Sequence, residues 1–154
     1  MKVDDPEVVR VLLRSMVARI ATLSSNGRPS INPLYFIAPR GSIWLGTSDW
    51  TLAARNVEAD GRVSVLFNVE RDPADGRVLR ISGRAEVRTD PDLIRFYNRE
   101  VARKYILTPS GVINTLAHIR QVPLKLTYNV QGAKKGRACI IRVFPERAEF
   151  IERE

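Results

Sequence analysis

Few residues in this chain could do chemistry unaided. Its one histidine, His118, lies between Ala117 and Ile119 on an expected helix. Its one cysteine, Cys139, lies in the apolar run ACIIRV. A lone histidine on a helix reads first as structural or solvent-facing. A reactive thiol needs exposure and a lowered pKa, whereas a buried cysteine behaves as a small hydrophobe. One Cys and one His do not make a zinc site, and no local carboxylate cluster completes the ligand set. Walker-type, GxGxxG and GxSxG loops are absent. The chemistry that remains is anion binding. Thr47-Ser48-Asp49-Trp50-Thr51 falls at the N-terminus of an expected helix. Such an end offers N–H groups and a positive dipole to an anion. Thr47, Ser48 and Thr51 add hydroxyl donors, and Arg55, one turn after Thr51, adds charge on the same face. An enzyme so short of titratable groups must take its chemistry from a cofactor, leaving the protein to bind and orient.

The elements that must position these residues follow from local pattern. Asp5-Pro6 predicts a helix start, with Val8, Val9, Leu12, Leu13 and Met16 on one face. VARIATLS predicts a strand, Ser25-Asn26-Gly27 a turn, and SINPLYFI (30–37) the returning strand. Pro33 has no N–H, so this strand belongs at an edge or bulge, with neighbouring backbone groups left free for a ligand. SIWLGT (42–47) is a third strand, and TLAARNVEA (51–59) a short helix capped by Ser48 or Asp49. RVSVLFNV (62–69) and RVLRISGRAEVR (77–88) are strands, the second interrupted by Gly83, which marks a bulge or a close backbone approach. Asp90-Pro91 opens a second long helix, with Leu93, Phe96, Tyr97, Val101 and Tyr105 facing inward. Thr108 to about Arg120 is a third helix, LKLTYNV (124–130) a strand, and QGAKKGR (131–137) a loop. ACIIRVFP (138–145) is a strand, with AEFIE (148–152) as one more. Strands joined mostly by tight turns, without regular crossover helices, argue against a doubly wound parallel sheet. They favour a mainly antiparallel barrel with helices outside.

Composition bounds the rest. The chain has 154 residues, 44% hydrophobic and 27% charged, a size and balance expected for one soluble domain. No segment approaches the roughly 20 apolar residues that span a bilayer. The opening MKVDDPEVVR carries aspartates where a signal peptide would be basic, so the expected location is cytoplasmic. Net charge is +8, with a pI of about 10.2. The basic residues are scattered, and the one tight cluster is Lys134-Lys135 with Arg137. Nucleic-acid domains concentrate charge on one face and interleave aromatics. Aromatics are only 7% here, so an anionic small ligand is the favoured partner and nucleic acid is disfavoured.

Four features in order carry a family resemblance. They are Ala21-Thr22-Leu23 with Asn26-Gly27-Arg28-Pro29; Pro33 with Tyr35-Phe36; Gly46-Thr47-Ser48 leading to Ala54-Arg55-Asn56-Val57; and Arg62-Val63-Ser64-Val65 followed by Ile81-Ser82-Gly83-Arg84-Ala85-Glu86-Val87. Together they resemble the pyridoxamine-5′-phosphate-oxidase-like superfamily of flavin- and deazaflavin-binding split-barrel proteins. IIRVFPERAEFIE (140–152) is similar to the closing strand of that family. The resemblance implies a mainly β (α+β) fold, a six-stranded antiparallel split β-barrel with flanking helices. Residues 1–154 would form one such domain, with a helical insertion at about 90–123 walling one side of a substrate pocket. It also implies a homodimer with cofactor sites at the interface. The cofactor would be FMN, or alternatively the deazaflavin coenzyme F420.

By the same resemblance, Asn32, Pro33 and Leu34 lie along the flavin ring and Trp50 covers a ring face. Arg28 reaches the phosphate or tail, and Thr47, Ser48, Thr51, Arg55 and Asn56 form the anion end. The family carries a lysine where this chain has Ala53, and Asp49 is an acid beside the expected anion. Arg55, Arg28 or the loop with Lys134, Lys135 and Arg137 would have to supply the missing charge. The implied function is an oxidoreductase moving hydride to or from a small substrate, with no protein acid or base assigned. The alternative is a non-catalytic binding protein for a flavin, a haem or tetrapyrrole, or another anionic ligand on the same fold.

Overall fold

Alternating apolar residues dictate the sheet, and the computed structural model, which describes residues 1–68, 76–107 and 136–152, follows that pattern closely. Among the described residues, seven strands make one antiparallel curled sheet: β1 (Ala18–Leu23), β2 (Pro29–Leu34), β3 (Phe36–Ile37), β4 (Ile43–Ser48), β5 (Arg62–Phe67), β6 (Arg77–Arg88) and β7 (Ala138–Glu152). Their order is β2-β1-β5-β6-β7-β4-β3. The two edge strands, β2 and β3, are therefore adjacent in sequence, separated only by Tyr35. SINPLYFI, expected as one strand, is two, which is why the sheet has seven strands rather than six. Pro33 lies on the edge strand β2, where its missing N–H costs no ladder bond.

The concave face carries the main core. Ile20, Phe36, Ile43, Leu45, Val65, Phe67, Leu79 and Ile81 are buried there. Phe36 and Phe67 meet edge-to-face at 4.8 Å, an arrangement worth about 0.5–1.5 kcal/mol beyond area burial. Helix α1 (Pro6–Arg14) contributes Val8, Val11 and Leu12. Its expected inner face was wider, but Val9 and Leu13 are exposed. Helix α2 (Leu52–Ala59) adds Ala53 and Val57. Helix α3 (Pro91–Ala102) contributes to a second cluster, where Tyr97 and the partly buried Phe96 pack with Ile37, Trp44 and Ile140 of β3, β4 and β7. A π-type turn, Arg103–Leu107, follows α3.

AEFIE is not a separate strand, because β7 runs unbroken through Pro145. The pairing shifts between Ser82 and Gly83: Gly83 faces Pro145 and Ser82 faces Arg147, leaving Glu146 as the extra residue. A proline is tolerated at such a bulge. Gly83 is required by close approach, since a Cβ there would lie 2.2 Å from the Phe144 carbonyl oxygen. The expected helix over 108–120, the strand over 124–130 and His118 lie outside the described residues.

The chain crossing at residues 34–36 is held by two tyrosines. The Tyr97 hydroxyl donates to the Tyr35 carbonyl at 3.0 Å, and the Gly46 N–H donates to the same oxygen at 3.3 Å. Tyr105 accepts the Phe36 N–H at 3.2 Å and sits 2.5 Å from the Met16 carbonyl and 3.3 Å from that of Phe36. A phenol has one proton, and the short contact places it on Met16. Burial raises the pKa of both tyrosines, so they remain protonated donors. Removing the Tyr105 hydroxyl would leave a buried N–H and a carbonyl short of partners, at about 1–3 kcal/mol. We therefore expect Tyr105→Phe to lower the urea midpoint by that free energy. A loss under about 0.5 kcal/mol would show that the hydroxyl does not hold the crossing.

Candidate functional site

The junction of β4 and α2 is built by one threonine. Thr51, rather than Ser48 or Asp49, is the N-cap. Its hydroxyl donates to the Ser48 carbonyl at 2.8 Å and accepts the Ala54 N–H at 3.3 Å. With its proton committed to Ser48, its 3.0 Å contact to the Thr47 hydroxyl must be donated by Thr47. The Arg55 N–H bonds the Thr51 carbonyl. Among the described residues no acceptor faces the amides of Leu52 and Ala53. Those two N–H groups and the helix dipole are what this end offers an anion.

The crossing brings the second part of the site alongside. The bond from Gly46 to Tyr35 sets the end of β2, with Pro33 and Leu34, next to the strand that continues into Thr47 and Ser48. Gly46 must lack a side chain, because a Cβ would fall 2.4 Å from the Tyr97 ring and hydroxyl. Asn32 pairs with Ile20 and is half-buried on the same face as Ser30 and Leu34. Asn56 is almost fully buried, and its amide donates to the Thr22 hydroxyl at 3.0 Å. This bond ties α2 to the β1–β2 hairpin. Arg28 lies at the tip of that hairpin, exposed, with its N–H on the Ser24 hydroxyl. The Gly46–Tyr35 bond thus sets the end of β2 beside β4, while Arg28 lies at the hairpin tip, two residues from Ser30, the partner of Thr22. Trp50 is 40% exposed, and Arg55 projects from the exposed side of α2. Lys134 and Lys135 lie outside the described residues.

Two departures from the family pattern acquire physical reasons. Ala53 is 2% exposed and packs in the main core, so an ammonium at this position would be buried among apolar groups. Arg55 is the cation that the first turns of α2 present outward. Asp49 is also engaged: its carboxylate accepts the Arg137 N–H at 3.0 Å, and its own N–H donates to the Arg137 carbonyl at 3.0 Å. This two-way bond delivers Arg137, the last member of the basic cluster, to the β4–α2 loop. Tyr97 and Tyr105, which position the crossing, had no sequence signal beyond their place on an apolar helix face.

Fold and junction define the class: a split-barrel protein in which the N-terminus of α2 lies beside the crossing of its edge strands. The chain belongs to the pyridoxamine 5′-phosphate oxidase family, whose model matches residues 4–150. Among curated proteins, none matches it. Similar solved structures include the conserved hypothetical protein Rv2991 from Mycobacterium tuberculosis. It has a TM-score of 0.70 and 21% identity, over 97% of this chain and 84% of that one. A protein described as an F420 reductase has a TM-score of 0.62 and 20% identity, over 91% and 94% of the two chains. The heme storage protein HutZ from Vibrio cholerae has a TM-score of 0.63 and 16% identity, over 99% and 95%. These likenesses establish the fold.

Cys139 sits opposite Thr47 and is 2% exposed. Burial, with smaller contributions from Asp49 and Glu58, pushes its thiol up to about 12. A raised pKa means almost no thiolate at neutral pH. Native protein at pH 8 should therefore react with a thiol-specific disulfide reagent at least about a hundredfold more slowly than denatured protein. Equal rates would place this strand end in solvent.

Proposed function

We propose that this protein is a homodimeric split-barrel oxidoreductase that binds FMN, or alternatively the deazaflavin coenzyme F420, and serves hydride transfer with a small substrate. The observation that carries this reading is the β4–α2 junction: two amides with no acceptor among the described residues, the Thr47–Thr51 hydroxyl pair and the outward Arg55, beside Pro33 and Leu34 of the edge strand. The amides of Leu52 and Ala53 and the Arg55 guanidinium would hold the phosphate end. Backbone groups around Pro33, on the outer side of the edge strand, would meet the edge of the ring. Such cofactors supply the electron chemistry themselves, and the protein binds, orients and excludes water. The basic residues of 131–137, of which Arg137 is fixed to Asp49, would supply further positive charge. Family membership and the fold shared with an F420 reductase support the reading.

The dimer has its own support. Ile31 of β2 is 61% exposed, and Trp50 and Leu52, at the start of α2, are 40% and 46% exposed. Helix α2 touches β2, so these apolar groups flank the candidate site. Apolar surface rimming a site is what a partner subunit would cover.

Titration with FMN and then coenzyme F420, read by absorbance near ~450 and ~420 nm respectively, tests the proposal. Saturable micromolar binding of one of them is expected, weakened about tenfold in Arg55→Ala through loss of a charge-assisted contact. Binding of neither, or binding indifferent to Arg55, would overturn it. Haem binding instead would select the non-catalytic alternative. Light scattering of Ile31→Asp tests the interface: the wild type should be a dimer and the variant a monomer at micromolar concentration. A variant that remains dimeric places the interface elsewhere.

A further inference from the structure

Helix α3 covers only part of the convex face of the sheet. Along β7, Ile141 and Val143 belong to the main core, so the alternating Arg142 and Phe144 lie on the opposite face. Trp44, opposite Arg142 on β4, lies in the second cluster and meets Phe96 of α3 edge-to-face. Phe144, one step further from that cover, is 43% exposed. Its partner across β6 is Arg84, also exposed, and Arg142 faces Glu86. Arg84 and Arg142 are therefore diagonal cross-strand neighbours, about 7–8 Å apart, a spacing that long side chains can bridge.

The acids of this region are committed to other cations. Glu86 pairs with Arg88 at 3.2 Å, and Asp90 pairs with Arg88 at 2.7 Å. Asp60 is bonded by Arg62 at 2.7 Å, and Arg84 acts on its carboxyl only through space. Arg142 has no carboxylate partner among the described residues. Its guanidinium carbon lies 4.9 Å from the centroid of the Phe144 ring and 5.5 Å from that of Trp44. Its Nε is buried and has no hydrogen-bond partner. The two rings hold the guanidinium in place, but neither supplies the acceptor that a buried N–H requires.

We propose that this face binds a small aromatic carboxylate, its carboxylate held by Arg142 and Arg84 and its ring laid against Phe144. A carboxylate matches the guanidinium fork and is the acceptor that stacked rings cannot be. A ring beside Phe144 removes apolar surface from water and extends the stack of Phe144, Arg142 and Trp44. A neutral ring would leave both arginines unanswered, and a small hydrophilic anion would leave Phe144 in water. The inference is independent of the cofactor reading. Phe144 lies five residues, about 17 Å, along β7 from Cys139, the partner of Thr47.

Calorimetric titration of the full chain with naphthoate and with the neutral naphthylmethanol tests it. Naphthoate should bind saturably, and at least about tenfold more tightly than naphthylmethanol. Arg142→Met should remove that preference. Arg84→Ala and Phe144→Ala, at exposed positions that folding tolerates, should each weaken naphthoate about fivefold or more. Arg95→Ala removes an exposed arginine that pairs with Asp92 on α3, and it should leave naphthoate affinity unchanged. The proposal is overturned by an absence of saturable naphthoate binding, or by naphthylmethanol binding as tightly. It is equally overturned if Arg95→Ala weakens naphthoate as much as Arg84→Ala does, which would reduce the effect to net charge. Light scattering of Phe144→Glu supplies the last check: conversion of a dimer to a monomer would show that a second copy covers this face, and would also overturn the proposal.

Discussion

One segment of chain serves both edges of the sheet, and the rest of the architecture answers to that. Leu34 ends β2 and Phe36 begins β3, at opposite ends of the strand order, so the sheet must curl until its edges nearly meet. Edge strands carry backbone groups without ladder partners, and burying such groups unpaired is costly. The Tyr35 carbonyl is satisfied by Gly46 and Tyr97, and the Phe36 N–H by Tyr105. The two tyrosines come from α3 and the turn after it, so this helical segment supplies polar closure as well as apolar cover. That explains why Gly46 tolerates no side chain: a Cβ there would displace the Tyr97 ring whose hydroxyl helps to close the crossing.

The candidate site is a by-product of the same closure. The curl brings the end of β2 against β4, and β4 runs straight into α2, whose N-terminus is set by Thr51. Helix α2 must then pack against the barrel with small residues. Ala53 and Ala54 are both buried, and Asn56 spends its amide on Thr22. Polarity is therefore displaced to the outer side of the helix, where Arg55 remains, and to the loop, where Asp49 captures the backbone of Arg137. Ala53 packs inward, and the cation nearest to it in sequence, Arg55, stands one half-turn on at the outer side of the helix.

Much of this was legible in residue order. β6 falls on its expected residues, α3 begins at Pro91 as expected, and the glycine inside β6 marks both a bulge and a close approach. The chain crossing was not legible. SINPLYFI reads as one returning strand, and the break at Tyr35 depends on strands far away in sequence that local pattern does not contain. Pro145 looked like a strand end for the same reason: whether a proline stops a strand or sits in a bulge depends on the partner strand, here on Gly83. The start of α2 directly after β4 was legible in outline, although its N-cap is Thr51 rather than Ser48 or Asp49. The inward direction of Ala53 and Asn56 was not, because it depends on which side of α2 meets β1. The excess width of the α1 apolar face was visible, but the fact that the barrel buries only half of it was not.

The charge distribution argues against reading the +8 surplus as a nucleic-acid face. Arg62 pairs with Asp60 at 2.7 Å, Arg88 with Asp90 at 2.7 Å and with Glu86 at 3.2 Å, and Arg80 with Glu149 across β6 and β7. Asp60 is held down to about 2 by the Arg62 guanidinium, and Glu149 is lowered chiefly by Arg80. Such exposed pairs stabilise little, but they neutralise charge locally on the strands that would otherwise present a basic stripe to a phosphate backbone. A polyanion needs many cations in one plane, whereas a single phosphate or carboxylate needs one or two with fixed donors beside them. The arginines committed to these strand and helix pairs cannot supply the first arrangement, whereas the second is the one proposed at the start of α2 with Arg55.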